Sequence, residues 1–371
     1  MPLNAAVIGY GFSAKTFHIP FLLHNPGFHL YAIVQRAPRK GNAASADFPH
    51  VRILNGAYDA IADGTVDVLI ITSTNDTHFP LSKAALESGK HVIVEKPFTL
   101  NYAEAAELAS LAERMGLQLA VYHNRRWDSD FLTVRALLAS PTNPLGSLVR
   151  FRSHFDCAPN SRTAIESKKW RLASGVPGAG MLFDLGSHLI DQVLVLFGTP
   201  KRVTCLLFDE GNGKEIREEG FVDDGFLIVL GYEKGLQVEL QSTQYVVSDR
   251  QKRFEVLGTK GRWIKYGLDI QEDQLQKGIY PGHERYGLED GANQGTLQVI
   301  DGEGIEAYDW EAIPGGYQRF YENVHDAISG KTELAVKPRE AALVMKMIEL
   351  CRQSAVEGRT LLLPLRIQKT R

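Results

Sequence analysis

The sequence predicts an α/β chain of two parts: a parallel sheet wound with helices on both faces, then an α+β part with a large open, mostly antiparallel sheet. Three observations predict it. With 371 residues the chain exceeds what a single core usually fills, so two domains are expected. Its first third alternates short apolar runs with helical patterns, the rhythm of parallel strands joined by crossover helices. From about Pro144 longer alternating strands take over, separated by turn residues and with few helices between them.

In order, Ala5 to Ile8 reads as a strand, Lys15 to Leu23 as a helix and His29 to Gln35 as a second strand. Val66 to Thr72 is an apolar run broken only by Asp67; a helical stretch from Pro80 stops near Gly89, and His91 to Val94 is the next strand. Asn101 and Glu104 form a capping pair for an alanine-rich helix that ends at Gly116, and Leu117 to Val121 completes the first domain, residues 1–123. The second domain is expected over 124–371. There Leu148 to Phe155 alternates, with Val149, Phe151 and Phe155 on one side and Arg150, Arg152 and His154 on the other. Phe226 to Tyr232 and Leu236 to Val246 form a strand pair, and Phe254 to Tyr266 a hairpin around Thr259-Lys260-Gly261. Helices run from Asp184 into Leu196 and from Pro338 to about Ala355. A sheet with one apolar face leaves its other face for helices or a second copy, so a homodimer or homotetramer is expected.

Composition narrows the function classes. A net charge of -3 offers no field for a phosphate backbone, so no nucleic-acid partner is expected. Cys157, Cys205 and Cys351 are far apart and lack CxxC spacing, which points away from a disulfide framework or zinc site and toward a reducing compartment. Cys351 shares an apolar helix face with Ala341, Val344, Met345 and Ile348, a packing position. No apolar run approaches the roughly 18 residues of a membrane span, so a cytoplasmic location with no membrane partner is the expectation.

Gly9-Tyr10-Gly11-Phe12-Ser13-Ala14 lies between a strand and a helix, the context in which GxGxxG/A marks a dinucleotide-binding (Rossmann) turn. Gly9 makes the tight turn, Gly11 lets the backbone approach a pyrophosphate, Ala14 keeps the helix close, and the helix start faces the anion. An NAD site places an acid near the end of the second strand. Here the segment reads Val34-Gln35-Arg36-Ala37-Pro38-Arg39-Lys40, with no acid. Arg36 with Arg39 or Lys40 can hold a 2′-phosphate by charge-assisted bonds, which predicts NADP(H); a solvated basic loop is the competing reading.

Glu95-Lys96-Pro97 follows a strand at the end where such sheets place ligands, and a lysine there can donate to a reacting oxygen. On motif chemistry alone a surface lysine is an equal reading. Asp184 and His188 stand four apart at the start of a helix, hence on one face. A histidine so placed can take a hydroxyl proton while the carboxylate positions the substrate; helix capping by Asp184 and a buried structural histidine compete with that role. No third residue stands at a spacing that would complete a metal site.

Together these pieces resemble the glucose-fructose oxidoreductase, inositol dehydrogenase and MocA family over nearly the whole chain. The resemblance rests on the Gly9 turn, Thr74-Asn75-Asp76-Thr77-His78, Glu95-Lys96-Pro97, Gly178 to Gly180, and Asp184 with His188. Within the family the chain looks most like the NADP-dependent scyllo-inositol dehydrogenase branch, through Tyr122-His123-Asn124-Arg125-Arg126-Trp127-Asp128, Trp170-Arg171, Lys265-Tyr266-Gly267 and Gln271-Glu272-Asp273. The resemblance implies that Lys96 lies near the nicotinamide, Asp184 binds substrate and His188 is the acid/base, with a cis bond before Pro97. It implies a cofactor set of Gly9, Gly11, Phe12, Ser13, Ala14, Gln35, Arg36, Arg39, Ser73, Asn75, His78, Glu95 and Lys96. Substrate would meet Asn124, Arg126, Trp127, Trp170 and Arg171 besides Asp184 and His188, with His123, His154 and Asp191 structural and Trp127 equally a core residue. Ala179 departs from the family's Gly-Gly-Gly run and narrows the backbone's approach to substrate. The implied activity is hydride transfer between nicotinamide and a carbinol or carbonyl carbon of a polyol or sugar. Two alternatives within the fold are a non-catalytic NADP-binding regulator and an NAD-dependent glycosidase.

Overall fold

The computed structural model describes residues 1–157, 173, 175–248 and 250–363. Contacts divide the chain into two units: Met1–Trp127 with Gln271–Tyr286 and Gly316–Met345, and Asp128–Ile270 with Gly287–Gly315 and Lys346–Arg371. The first unit therefore takes in segments that lie far beyond the boundary expected near residue 123.

The first unit is built on six parallel strands: β1 (Leu3–Ile8), β2 (Phe28–Val34), β3 (Arg52–Leu54), β4 (Val68–Ile71), β5 (His91–Val94) and β6 (Leu119–Val121), in the order 3-2-1-4-5-6. β4 and β6 are buried along their whole length, which is why they read as apolar runs rather than alternations. After β1 a π-helical turn (Ala14–His18) runs into α1 (Ile19–His24). α2 (Ala44–Asp47) and α3 (Ala57–Ala62) follow β2 and β3. α4 (Asn75–Glu87) starts well before the expected Pro80, because a proline in the second turn costs that helix one bond without ending it. In α5 (Tyr102–Met115) the Asn101 side chain accepts the Glu104 amide at 2.9 Å, and Gly116 closes the helix at φ 65°.

The second unit contains α6 (Ser129–Leu138) and β7 (Leu148–His154), then a π-helical turn (Leu182–Gly186) leading into α7 (Ser187–Phe197). Its strands are β8 (Arg202–Asp209), β9 (Lys214–Ile216), β10 (Gly225–Gly231), β11 (Gln237–Thr243), β12 (Lys252–Gly258) and β13 (Gly261–Tyr266). α8 (Gln271–Gln276) belongs to the first unit. β14 (Gly295–Asp301), β15 (Gly304–Trp310) and, after α9 (Gln318–Ile328) and α10 (Pro338–Glu357), β16 (Leu361–Leu362) complete the set. The strands form one ten-stranded sheet, 15-14-13-12-7-11-10-8-16 with β9 on β8, antiparallel except where β11 meets β7. Thr259 and Lys260 turn the β12–β13 hairpin. Phe151 is fully buried, but Val149, expected beside it, is 48% exposed at the strand's start. Cys351 is buried with Ala341, Val344, Met345 and Ile348 on α10. No helix among the described residues is long and apolar enough to cross a membrane.

Candidate active site

In the first unit the strand order reverses between β1 and β4, and the segments leaving β1, β4 and β5 at their carboxyl ends carry Gly9, Ser73 and Glu95-Lys96 respectively. Open parallel sheets bind ligands at this switch point. Gly9 sits at φ +107°, and a Cβ there would lie 2.8 Å from Thr72 Oγ1, so both conformation and space demand glycine. A Cβ on Gly11 would meet nothing within 4 Å, and Phe12 is 45% exposed, so the outer side of the turn is open. An open backbone surface before Ala14 fits the pyrophosphate of a dinucleotide.

Gln35 stands where an NAD site keeps its acid. Its amide is buried and spent on the following loop: Nε2 donates to the Asn42 carbonyl at 2.8 Å and Oε1 accepts the Ala44 amide at 2.7 Å. Arg39 and Asn42 bridge backbone to backbone, closing a loop on which Arg36, Arg39 and Lys40 are exposed. Gln35 thus shapes the basic loop rather than presenting a side chain from it.

Glu95 is the hub of the next group. It is 8% exposed; Oε1 accepts from His18 Nε2 at 2.9 Å and from the Ser13 hydroxyl, and Oε2 accepts the Lys96 amide at 2.9 Å. Burial works against the carboxylate, yet the His18 bond and charge, the Lys96 charge and the Ser13 bond outweigh it and hold the pKa at about 2. Ser13 therefore joins the glycine turn to the Lys96 peptide. The bond from Lys96 to Pro97 is cis. His78 is buried, its Nδ1 2.8 Å from the Pro97 carbonyl and its Nε2 3.2 Å from the Ser73 carbonyl, and burial lowers its pKa. A neutral imidazole carries one N–H, so it donates to one of these two carbonyls, the Pro97 contact being the shorter. Ser73 Oγ lies 2.6 Å from Thr77 Oγ1, and Asn75 is buried at the start of α4.

Arg126 and Trp127, expected to line the substrate site, have partners within the first unit. Arg126 bonds to Glu340 at 2.9 Å and to the Ala335 carbonyl at 2.7 Å, while Trp127 packs edge-to-face on Phe320 with centroids 5.9 Å apart. Asn124 is buried at 5% exposure. Trp170 and Arg171 lie outside the described residues.

In the second unit Asp184 falls inside the π-helical turn and His188, 4% exposed, at the start of α7. π-turns are rare and gather at functional sites. The helix begins before Asp184, so Asp184 is not its cap. Asp223, which nothing local in the sequence flags, fills that role. Its Oδ2 accepts the Leu182 amide at 2.7 Å and its carbonyl the Met181 amide at 3.0 Å. Gly180, at φ +112°, makes room for it, since a Cβ there would lie 2.3 Å from Asp223 Oδ1. Burial raises the Asp223 pKa to about 6 against the Leu182 bond and the Arg352 charge. One turn beyond His188, Gln192 Oε1 accepts from Arg253 at 2.9 Å; that guanidinium is 1% exposed and also bonds Asp130 at 3.0 Å and Ser153 at 2.8 Å. The Asp184–His188 segment is thus anchored at both ends. Ala179, in the Gly178–Gly180 loop, is buried.

Two family models match. One, described as an oxidoreductase family NAD-binding Rossmann fold, covers residues 3–123; the other, the family's C-terminal alpha/beta domain, covers 142–363. The chain is 38% identical to the oxidoreductase YdgJ of Escherichia coli strain K12 over 361 residues, 97% of this chain and 99% of that one. It is 31% identical over 364 residues to the NADP(+) scyllo-inositol 2-dehydrogenase IolW of Bacillus subtilis strain 168, covering 97% of this chain and 96% of IolW. Among solved structures, an oxidoreductase from Bacillus cereus superposes with a TM-score of 0.83 at 30% identity, covering 98% of this chain and 99% of that one.

Proposed function

The chain belongs to the Gfo/Idh/MocA oxidoreductase family, and from that premise we propose that it is an NADP(H)-dependent dehydrogenase or reductase acting on a polyol or sugar. The observation that carries this reading is the convergence of the open Gly9–Ala14 turn, Ser73 and Glu95-Lys96 at the switch point of the parallel sheet. Preference for the 2′-phosphorylated dinucleotide is supported by the missing acid after β2 and by the Gln35-shaped loop that exposes Arg36 and Arg39. The NADP(+) named for IolW agrees with it.

When bound, the dinucleotide accepts or supplies a hydride at its nicotinamide. In oxidation His188 takes the proton of the substrate hydroxyl; in reduction it returns it. Lys96 donates a hydrogen bond to the same oxygen and stabilises charge as it develops there, and Asp184 accepts from a neighbouring hydroxyl. Gly9, Gly11 and Ser13 would hold the pyrophosphate at the glycine turn. The reading also takes the chain as a homo-oligomer, which sedimentation of the purified protein tests directly.

The residue assignments are tested by His188→Ala, whose turnover should fall by about 10²–10⁴-fold while the protein still binds NADPH. Unchanged turnover removes the assigned role. The regulator reading would gain if NADPH bound tightly and every polyol, sugar and ketone were left unchanged.

A further inference from the structure

His18 takes no part in the chemistry above, yet its ring is fully buried and both nitrogens are engaged. Nε2 lies 2.9 Å from Glu95 Oε1 and Nδ1 lies 2.6 Å from the Tyr321 hydroxyl. An ionised carboxylate can only accept, so the chemistry places a proton on Nε2. Tyr321 is itself fixed, stacked on Phe21 with centroids 5.9 Å apart and edge-on to Phe28 and Phe320. The Tyr122 ring covers the imidazole at 4.3 Å. A hydrogen-bonded chain therefore runs from α9 through the π-helical turn to Glu95, and from Glu95 to both the Lys96 amide and the Ser13 hydroxyl. A phenylalanine would fill the same space among these rings without burying a polar pair. Burying imidazole beside carboxylate costs desolvation, and the return is a defined arrangement of the groups they hold.

We propose that His18 is a positioning residue for Lys96: through Glu95 it fixes the peptide from which the lysine departs and ties that peptide to the glycine turn. The inference rests on the reading of Lys96 as the donor to the reacting oxygen.

The test compares His18→Phe, His18→Gln and Tyr321→Phe in the full-length protein, each also in a Lys96→Met background. Amide deuterium exchange of the peptide spanning Lys96 is read without cofactor, NADPH affinity by fluorescence, and kcat separately from KM. Exchange at Lys96 should quicken roughly tenfold in His18→Phe, and kcat should fall about 10–100-fold, the scale of a small misplacement. The dissociation constant for NADPH should stay within about threefold. His18→Gln, which keeps an N–H donor, should recover part of the loss, and Tyr321→Phe should show a smaller effect of the same sign. In the Lys96→Met background the kcat loss should vanish. Unchanged exchange at Lys96 in both His18→Phe and Tyr321→Phe overturns the proposal, as does a kcat loss that persists in full without Lys96. Were Lys96→Met itself to leave turnover intact, the catalytic reading would fall, while the exchange result would still decide whether His18 holds the peptide.

Discussion

Replacing Asp223 by asparagine tests how the helix bearing Asp184 and His188 is anchored. In the native chain Oδ2 accepts the Leu182 amide at 2.7 Å, while Oδ1 is buried with no partner among the described residues. Burial raises the carboxyl from 3.8 to about 6. Between those values the folded protein keeps a proton that the unfolded chain has released, so stability declines as pH rises through the window and the full penalty stands above it. A shift of about two units corresponds to a penalty on the order of 3 kcal/mol. For a unit of this size that is roughly 6–12 °C in Tm. Asparagine carries no charge, and its carbonyl can still accept from Leu182. The difference in Tm, variant minus native, should therefore become more positive between about pH 4 and about pH 7.5, whatever its starting value. Scanning calorimetry at constant ionic strength reads it. A difference that does not change with pH would mean that the Asp223 carboxyl does not titrate in this window.

Arg253→Met should cost about 3–5 kcal/mol in chemical denaturation, since it leaves Asp130 with a fully buried, uncompensated charge; a loss below about 1 kcal/mol would show that the cluster relaxes. Gly180→Ala should destabilise by about 1–3 kcal/mol through its positive φ. Asp223→Ala should mask the clash part of that cost, so a double-mutant cycle should show the pair to be non-additive. Arg36→Asp should weaken NADPH binding by about 10–100-fold and spare NADH, and equal affinities for NADPH before and after would remove Arg36 from the 2′-phosphate site.

Elements specified by local chemistry are legible in the sequence. β5 reads as His91 to Val94 because three buried apolar residues, Val92 to Val94, follow the half-buried His91, and α5 is bounded because Asn101, Glu104 and Gly116 mark its ends by short-range bonds. The glycine turn is legible because Gly9 needs a conformation and a space that side chains lack. β14 and β15 are not: β15 is an edge strand whose residues are nearly all exposed, so no burial pattern is written into it. α9 and Tyr321 belong to the first unit through contacts hundreds of residues apart, beyond the reach of any periodicity. The same applies to the site. Gln35 reads as a cofactor residue, but its side chain spends both polar ends on Asn42 and Ala44. Asp223 and His18 carry no motif, and each acts through an acceptor or donor far away in sequence. A histidine following a glycine turn on the buried face of the first helix is the one available hint for His18.

Whether the chain is an NADP(H)-dependent dehydrogenase of polyols or sugars is decided by following nicotinamide absorbance with purified protein, NADP or NAD, and a panel of inositols, aldoses and their keto forms. Turnover of at least one polyol–ketone pair is expected, faster with NADP(H) than with NAD(H), and lowered about 10²–10³-fold, to a still measurable rate, in Lys96→Met. Tight NADPH binding with no turnover across the panel, or turnover that prefers NAD(H), would contradict that reading.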